Sequence, residues 1–328
     1  MPICADCREI KFMLTHDWGD KYTASLCAED PGLEIIEAFD REAQQEKAAE
    51  AEVVLGFPDG LELDLLLESE NLTWIQTLTA GVDRIVRSPH AEELSKKGVI
   101  LTNMSGLHRD IIAEHAMAFI LNFNRRFHHY RDQQKKQEWN RLEMGYAAGN
   151  MITILGLGSI GRELAARARA FGMEVTGVKR NTSTGLKYVD NIYPPAEIEE
   201  AVASSDYVVS ALPLTSATEN MIDGRVFAAM PDESYFINVG RGDVVVEEDL
   251  LKALDDGEIA GAGLDVFREE PLPEDSPFYE RENVIVTPHV AGSFPDYYKR
   301  ALDILLENLR RYRSGEEMMN RVNYEEGY

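Results

Sequence analysis

The chain has little cysteine and no long apolar run, and each shortage excludes a class of protein. Three cysteines in 328 residues are too few for a disulfide framework and are typical of a reducing compartment. No apolar run approaches the roughly 20 residues that span a bilayer, and the N-terminus lacks the basic-then-apolar order of a signal peptide. These shortages predict a soluble, cytoplasmic protein with no membrane partner.

Basic residues are also scarce. Lys and Arg total 33 against 58 Asp and Glu, which gives a formal net charge of −25. A field of that sign repels a phosphate backbone, so no nucleic-acid partner is predicted. Cys4 and Cys7 form one C-x-x-C pair. No second pair follows, and a chain terminus is a poor place for a preorganised site, so no metal site is predicted.

What the chain does contain is an alternation of short apolar runs and amphipathic stretches. Before residue 103 the strand-like runs are KFMLT, LEII, EVVLGF, WIQTL and VILT, and segments such as REAQQEKAAEAE have helical spacing. One long helix is predicted over residues 108–139. From Met151 a second series places strands at MITIL, MEVTGV, DYVVSALP, SYFINV, IAGAGLDV and NVIVTP, and YYKRALDILLENLRRYRSGEE predicts a closing helix. The alternation and the length predict an α/β protein of two domains.

A glycine-rich turn joins the first strand of this second series to its helix. The string is G-L-G-S-I-G, with Gly156, Gly158 and Gly161 as its glycines and Ser159 and Ile160 between the last two. After a strand and before a helix, such glycines allow a tight turn, close approach of a pyrophosphate and helix-strand packing. The alternative is that they serve the turn alone. The setting favours a dinucleotide site, with the phosphates at the helix N-terminus.

The end of the next strand departs from the NAD pattern. About 20 residues after the glycines an Asp or Glu is expected to bind the adenosine ribose, but the chain has Lys179, Arg180, Asn181 and Thr182 there. Cations and donors at this place favour a 2'-phosphate, so NADP(H) is the predicted cofactor and NAD(H) the alternative. The alternative that Lys179 and Arg180 are only solvated surface charges stays open.

Eight motifs carry a resemblance to a known family from about Val53 onward. They are TAGVDRI (79–85), AEHAMAFIL (113–121), ILGLGSIGRELA (154–165), ALPLTSATENMI (211–222), FINVGRGDVVVEEDLLKAL (236–254), GAGLDVFREEPLP (261–273), NVIVTPHVAGS (283–293) and the closing NRVNYEEGY. In this order they resemble the D-isomer-specific 2-hydroxyacid dehydrogenase family.

The resemblance implies how the domains are arranged. Residues 1–104 and 290–328 would build a flavodoxin-like substrate domain. A Rossmann-type NAD(P)-binding domain, residues 105–289, would be inserted in it, with the substrate bound between the two. The family also implies a homodimer formed through the nucleotide domain.

The resemblance also assigns the chemistry, which is hydride transfer between NAD(P)(H) and a small D-2-hydroxy acid/2-keto acid pair. Arg241 matches the arginine whose planar fork grips the substrate carboxylate. His289 matches the acid/base, and Glu270 matches the carboxylate that orients the imidazole and favours its charged form. Glu269 is a neighbour that can be confused with Glu270.

Two further groups of residues follow from the resemblance. The substrate-carboxylate loop comprises Ala80, Gly81 and Val82, and the cofactor wall comprises Leu212, Pro213, Thr218 and, on the nicotinamide side, Asp265. Phe57, Trp139, Tyr146 and Phe294 are candidates for a pocket or lid, although large aromatics more often fill cores. Glyoxylate, hydroxypyruvate, pyruvate and bulkier keto acids all remain open as substrates.

A second function from another class remains open on the same fold. It is a catalytically silent, nucleotide-sensing scaffold or corepressor, since fold alone does not decide function. Arg241, Glu270 and His289 occur together, which favours the enzyme.

Overall fold

The computed structural model describes residues 8–183 and 185–328, and they divide into two compact units. The described residues up to Leu107, together with Phe294–Tyr328, form what we call the terminal unit, and His108–Ser293 form the central unit. Each crossing lies a few residues later than the boundaries expected at 104 and 289. Cys4 and Cys7 lie outside the described residues.

The terminal unit is built on a five-stranded parallel sheet. Its strands are β1 (Ile10–Leu14), β2 (Leu33–Glu37), β3 (Val53–Gly56), β4 (Trp74–Thr77) and β5 (Ile100–Thr102). The strand order is β2-β1-β3-β4-β5, which is the flavodoxin-like order predicted for this part of the chain. The interior strands β3 and β4 are buried along their whole length, because both faces of a parallel sheet are covered.

Short helices connect these strands. They are α1 (Asp20–Glu29), α2 (Arg41–Lys47), α3 (Leu63–Leu66), α4 (Asp83–Val86) and α5 (Ala91–Lys96), with 3-10 turns at Ala48–Glu50 and Pro58–Gly60. The start of α2 shows why the sequence folds locally as it does. Asp40 precedes the helix, and its side chain accepts a hydrogen bond from the amide of Ala43 at 2.8 Å, which satisfies one of the donors left free in a first turn.

The central unit contains a seven-stranded parallel sheet. Its strands are β6 (Met151–Leu155), β7 (Glu174–Val178), β8 (Asn191–Tyr193), β9 (Tyr207–Ser210), β10 (Tyr235–Asn238), β11 (Gly261–Leu264) and β12 (Val284–Val286). The order is β12-β11-β10-β9-β6-β7-β8, so the predicted Rossmann-type sheet is confirmed. The order reverses between β6 and β9, and ligands of such sheets bind beyond the carboxyl ends of the strands at that point.

The single long helix predicted over residues 108–139 is wrong. The structure has two helices, α6 (Arg109–Arg125) and α7 (Phe127–Lys136), separated by Arg126 in the left-handed region at φ 54°. The Asn122 side-chain oxygen accepts a hydrogen bond from the amide of His128 at 3.0 Å and lies 2.9 Å from the Nδ1 atom of the same residue. These contacts replace continued helical bonding, so the apolar-to-polar change in sequence marks a break.

The remaining helices complete both units. They are α8 (Ser159–Ala170), α9 (Ile198–Val202), α10 (Gly224–Ala229), α11 (Glu247–Asp256) and α12 (Tyr297–Ser314), with 3-10 turns at Pro195–Glu197 and Gly242–Val244. Helix α12 returns the chain to the terminal unit and buries Ala301, Leu305 and Leu309 in the same apolar cluster as Phe12 and Trp74. Across the described ranges, no helix is both long and apolar enough to cross a membrane.

Candidate active site

The glycine turn at the end of β6 has the geometry that the sequence predicts. Gly156 adopts φ +99°, and a Cβ there would lie 2.9 Å from the carbonyl oxygen of Ala211. A Cβ on Gly161 would overlap the carbonyl oxygen of Gly156, so the helix packs on the turn only with glycine. At Gly158 a Cβ would have nothing within 4 Å. The second glycine therefore borders open space, which leaves room for a ligand at the turn.

Helix α8 starts immediately after this open position. Gly158 precedes the helix, and no side chain caps its first turn. The amides of Ser159 and Ile160 belong to the first turn, whose N–H groups have no partner within the helix. Together with the positive end of the helix dipole they suit an anion such as a pyrophosphate, so the residues present fit the phosphates of a dinucleotide.

The end of β7 carries cations and no acid. Lys179 is half-buried and its amide donates to the carbonyl of Tyr193 at 3.1 Å, while Arg180 and Asn181 are exposed. The first acid after the strand is Asp190, but its carboxylate accepts the amide of Val175 at 2.9 Å, near the amino end of β7. Because that is the opposite edge of the sheet, Asp190 does not replace the missing ribose-binding acid.

The segment after β9 lies against the glycine turn. A Cβ on Gly156 would be 3.2 Å from the Leu212 side chain, and one on Gly240 would be 2.6 Å from the Leu212 carbonyl oxygen. The hydroxyl of Thr218 donates to the carbonyl of Pro213 at 2.6 Å and accepts the amide of Thr215 at 2.9 Å. Thr218 thus fixes the shape of this loop, and its contact with a cofactor stays a prediction.

Arg241 stands on a loop that follows β10 and is held by Asn238. The Asn238 amide nitrogen donates to the carbonyl of Arg241 at 2.9 Å, and its oxygen accepts the amide of Gly240 at 3.1 Å. A Cβ on Gly242 would overlap the backbone of Phe267. The guanidinium, which also donates to the carbonyl of Gly240 at 2.8 Å, is therefore carried by a backbone that is fixed on both sides.

His289 and Glu270 form a close pair. The Nδ1 atom of His289 lies 2.6 Å from Oε2 of Glu270, whose Oε1 accepts the amide of Phe267 at 2.9 Å. The side chains are 47% and 35% exposed, so the pair is open on one side. It is Glu270 that contacts the imidazole, which resolves the ambiguity with Glu269.

The pair shifts the pKa of both members. The hydrogen bond to Glu270 raises the pKa of His289 above its ordinary value, against burial and the nearby charge of Arg241, which act to lower it. Burial acts to raise the pKa of Glu270, but the hydrogen bonds from His289 and the Phe267 amide outweigh it and the pKa is lowered. Arg241 adds to this lowering. The charged forms of His289 and Glu270 therefore stabilise each other.

The loop that carries His289 is held by the buried side chain of Asp265, which is 1% exposed. Its carboxylate accepts the hydroxyl of Thr287 at 2.6 Å and the amides of Val290 and Ala291, each at 2.9 Å. His289 itself has φ 51°, a left-handed conformation that a non-glycine residue keeps only when its surroundings enforce it. Asp265 therefore fixes the loop, and its assignment as a nicotinamide contact stays a prediction.

The sequence did not single out Asn238 and Thr287 as support for the site. Each is polar and lies at or just after the carboxyl end of a strand. Asn238 ends β10 and donates to Arg241 in the loop that follows, whereas Thr287 follows β12 and donates to Asp265, the residue after β11. Polar residues at strand ends are a signal that was available before the structure, but only the hydrogen bonds show which loop each one fixes.

The predicted carboxylate-binding loop follows β4 in the terminal unit. The carbonyl of Ala80 accepts the Asn103 side chain at 2.9 Å, and the carbonyl of Gly81 accepts the hydroxyl of Thr79 at 2.6 Å. Ala80 and Gly81 are partly exposed, and Val82 is buried at the start of α4. These two hydrogen bonds hold the loop in its conformation. Its role in binding a substrate stays a prediction.

The four aromatic candidates for a pocket or lid divide into two kinds. Trp139 is 92% exposed and Tyr146 is 72% exposed, so neither fills a core in the central unit. Phe57 and Phe294 are partly buried in the terminal unit and pack against its apolar cluster.

Comparison with known proteins gives consistent matches. The family described as D-isomer specific 2-hydroxyacid dehydrogenase, NAD binding domain, matches residues 117–291. A glyoxylate/hydroxypyruvate reductase A of Photorhabdus laumondii is 33% identical over 81% of this chain and 84% of its own. An NADPH-dependent glyoxylate/hydroxypyruvate reductase of Sinorhizobium meliloti, solved with NADP and sulfate, is 28% identical, covers 98% of this chain and 100% of its own, and has a TM-score of 0.83. A D-isomer specific 2-hydroxyacid dehydrogenase of Xanthobacter autotrophicus, solved with NADPH and MES, is 29% identical with the same coverage and a TM-score of 0.85.

Proposed function

Because the chain belongs to the D-isomer specific 2-hydroxyacid dehydrogenase family and is an NAD(P)-dependent oxidoreductase, we propose that it reduces a small 2-keto acid to the D-2-hydroxy acid, with NADPH as the preferred cofactor. The observation that carries the proposal is the His289–Glu270 pair beside Arg241. When bound, the nicotinamide supplies the hydride that reaches C2 of the substrate.

Arg241 binds the substrate carboxylate and the adjoining carbonyl oxygen in this proposal. A guanidinium presents two parallel N–H donors, which match a planar carboxylate and hold the substrate in one orientation. The fixed backbone on both sides of Arg241 supports this role, since orientation accelerates a reaction only when the positioning group itself is held.

His289 donates a proton to the carbonyl oxygen as the alcohol forms. Its Nδ1 atom faces Glu270 at 2.6 Å, so its Nε2 atom is the one that acts on the substrate. Because Glu270 raises the pKa of His289, the imidazole stays protonated to higher pH than a free histidine. Reduction needs this protonated form, so its rate is retained below the pKa and is lost as pH rises through it.

The preference for NADPH rests on the end of β7. A 2'-phosphate requires cations and donors, and Lys179, Arg180 and Asn181 supply them where NAD enzymes have an acid. Two of the related structures were solved with NADP or NADPH. Both observations favour NADP(H), with NAD(H) as the weaker cofactor.

A homodimer formed through the central unit is part of the proposal. The segment that begins at α7 leaves Phe127, Trp139, Met144 and Tyr146 exposed. Large apolar side chains concentrated in one exposed segment are typical of an interaction surface. A second copy of the chain is the occupant that the family resemblance implies.

The nucleotide-sensing scaffold is the second candidate function. It would bind the cofactor through the same glycine turn but would not need an acid/base pair. A scaffold has no use for a carboxylate that raises the pKa of a half-exposed imidazole, so the His289–Glu270 contact favours the enzyme.

The test is cofactor oxidation with glyoxylate, hydroxypyruvate and pyruvate, comparing the unmodified protein with His289→Asn. Asparagine tolerates the left-handed backbone of this position, so the change removes the acid with little strain. We expect kcat to fall by roughly 10²–10⁴ while the Kd for NADPH, followed by its fluorescence, changes little. Cofactor binding without turnover of any keto acid by the unmodified protein would instead support the scaffold.

A further inference from the structure

The histidine of the AEHAMAFIL motif, His115, has no part in the mechanism above. It lies in α6, and its side chain is 23% exposed. Its Nε2 atom lies 3.0 Å from the hydroxyl of Thr287 and 3.7 Å from Oδ1 of Asp265. Both partners hold the loop of His289, and all four residues belong to the central unit. Helix α6 therefore reaches the support of that loop through one side chain.

The hydrogen bonds of Thr287 determine which nitrogen of His115 carries a proton. The buried carboxylate of Asp265 accepts the Thr287 hydroxyl at 2.6 Å together with two backbone amides, and a carboxylate only accepts. The hydroxyl has one proton and gives it to Asp265, so toward His115 it can only accept. The Nε2 atom of His115 therefore carries a hydrogen and donates it to Thr287. The result is a directed series of hydrogen bonds from His115 through Thr287 to Asp265.

Close packing of α6 on the sheet sets the position of His115. A Cβ on Gly263 would be 2.7 Å from the ring of Phe119, so a side chain there would push the ring away from β11. The ring of His115 meets Phe119 edge-on with centroids 4.9 Å apart. The imidazole is thus positioned by a ring that lies against the strand preceding Asp265.

The loop of His289 depends on support from outside its own strand. It follows β12, whose three residues are each partly buried and which pairs with β11 at the end of the strand order. In the described sheet β12 has a strand on one side only. His289 keeps φ 51°, a conformation that persists only where the surroundings enforce it. The contact from α6 adds a restraint that a second neighbouring strand would otherwise provide.

We propose that His115 is a positioning residue, which holds the loop of His289 in its left-handed conformation through Thr287 and Asp265. The hydrogen bond from His115 restrains Thr287 at the base of the loop. Asp265 extends this restraint to the two backbone amides that follow His289. The inference deepens the proposed function and rests on it, since the loop carries the proposed acid.

The experiment compares His115→Leu, which removes the donor, with His115→Gln, which keeps an N–H donor. In the leucine variant we expect kcat for glyoxylate reduction to fall about threefold to tenfold, the value of one neutral hydrogen bond, while the Kd for NADPH is kept. Glutamine should restore most of the loss. His115→Phe, which keeps a ring without the donor, replaces leucine should that variant fold poorly. His129→Leu is the matched control, because His129 lies on α7 and its ring packs on His128 with centroids 4.1 Å apart.

Two further measurements test whether His115 acts through Thr287. In a Thr287→Val background, His115→Leu should lower kcat by less than about twofold, because residues that act through a shared partner are not additive. Amide hydrogen exchange over residues 288–293 should be faster in His115→Leu by about threefold to tenfold and unchanged in the control. The exchange is measured without substrate, so it reports on the loop independently of catalysis.

The outcomes separate the positioning role from the reaction itself. Lower kcat and faster exchange in His115→Leu, restored by glutamine and absent from the control, support the role. Unchanged kcat in His115→Leu, equal losses in the leucine and glutamine variants, or full additivity with Thr287→Val overturn it and leave the proposed function intact. Failure of the unmodified protein to reduce any keto acid overturns the proposed function and the catalytic role of His115 together. In that case the exchange rates still decide whether His115 holds the loop.

Discussion

The preference for NADPH can be removed at two residues. Changing Lys179 and Arg180 together to glutamine removes both cations at the end of β7 and leaves the backbone bond from Lys179 to Tyr193 in place. A charge-assisted contact is worth about 1.5–3 kcal/mol when shielded, and an exposed ion pair about 0.2–1 kcal/mol. Arg180 is exposed and Lys179 half-buried, so each side chain should contribute about 1 kcal/mol to binding of the 2'-phosphate, between the two ranges. The sum of about 2 kcal/mol corresponds to roughly a thirtyfold loss of kcat/KM with NADPH.

The assay measures kcat/KM for NADPH and NADH at a fixed keto acid, at about 0.02 M and about 0.5 M salt. The double variant should lose efficiency with NADPH and keep it with NADH, and high salt should reduce the preference of the unmodified enzyme. Lys187→Gln is the matched control, since Lys187 is exposed in the same connection and contacts the ring of Tyr188. A higher kcat/KM with NADH in the unmodified enzyme at low salt, or equal losses with both cofactors in the double variant, would refute the reasoning.

Three further predictions follow from the central unit. Arg241→Lys should lower kcat/KM by roughly 10²-fold, the cost of misplacing a substrate by about 1 Å, and near-normal kinetics would show that the carboxylate is held elsewhere. In Glu270→Gln the pKa of His289 should fall, so keto-acid reduction should fade at lower pH than in the unmodified enzyme; an unaltered pH profile contradicts the pairing. Sedimentation should give twice the mass of one chain, and Trp139→Glu should shift the protein toward monomer, whereas a monomeric unmodified protein excludes the proposed interface.

The sequence predicts most of the central sheet because its strands are short apolar runs separated by helices. Gly156 and Gly161 identify the dinucleotide turn from the sequence alone. The structure shows why glycine is required there, since a Cβ at either position would clash with a backbone carbonyl oxygen. The flavodoxin-like and Rossmann-type parts follow from the same alternation. These features are local, and local patterns are what a single sequence reports well.

Other features depend on contacts between distant residues. Strand β8 was not predicted, because Asn191 is exposed, Ile192 and Tyr193 are only partly buried, and the strand forms by pairing with β7. The break at Arg126 depends on bonds from Asn122 to His128, which no helical periodicity shows. Likewise, sequence placed Asp265 near the cofactor, but only the structure reveals that its carboxylate is occupied by the loop of His289.

The return of the chain through α12 has a consequence for synthesis in the cell. Ala301, Leu305 and Leu309 cover an apolar cluster whose other members, including Phe12 and Trp74, are made first. His108–Ser293 is translated in between, which takes roughly 10 to 40 s at about 5–20 residues per second. The nascent terminal unit therefore leaves the ribosome with part of one face of its sheet uncovered for that interval, since α1 supplies only Leu26 and Tyr22 to the same cluster. A chaperone that shields this face would act on the growing chain before the finished protein exists.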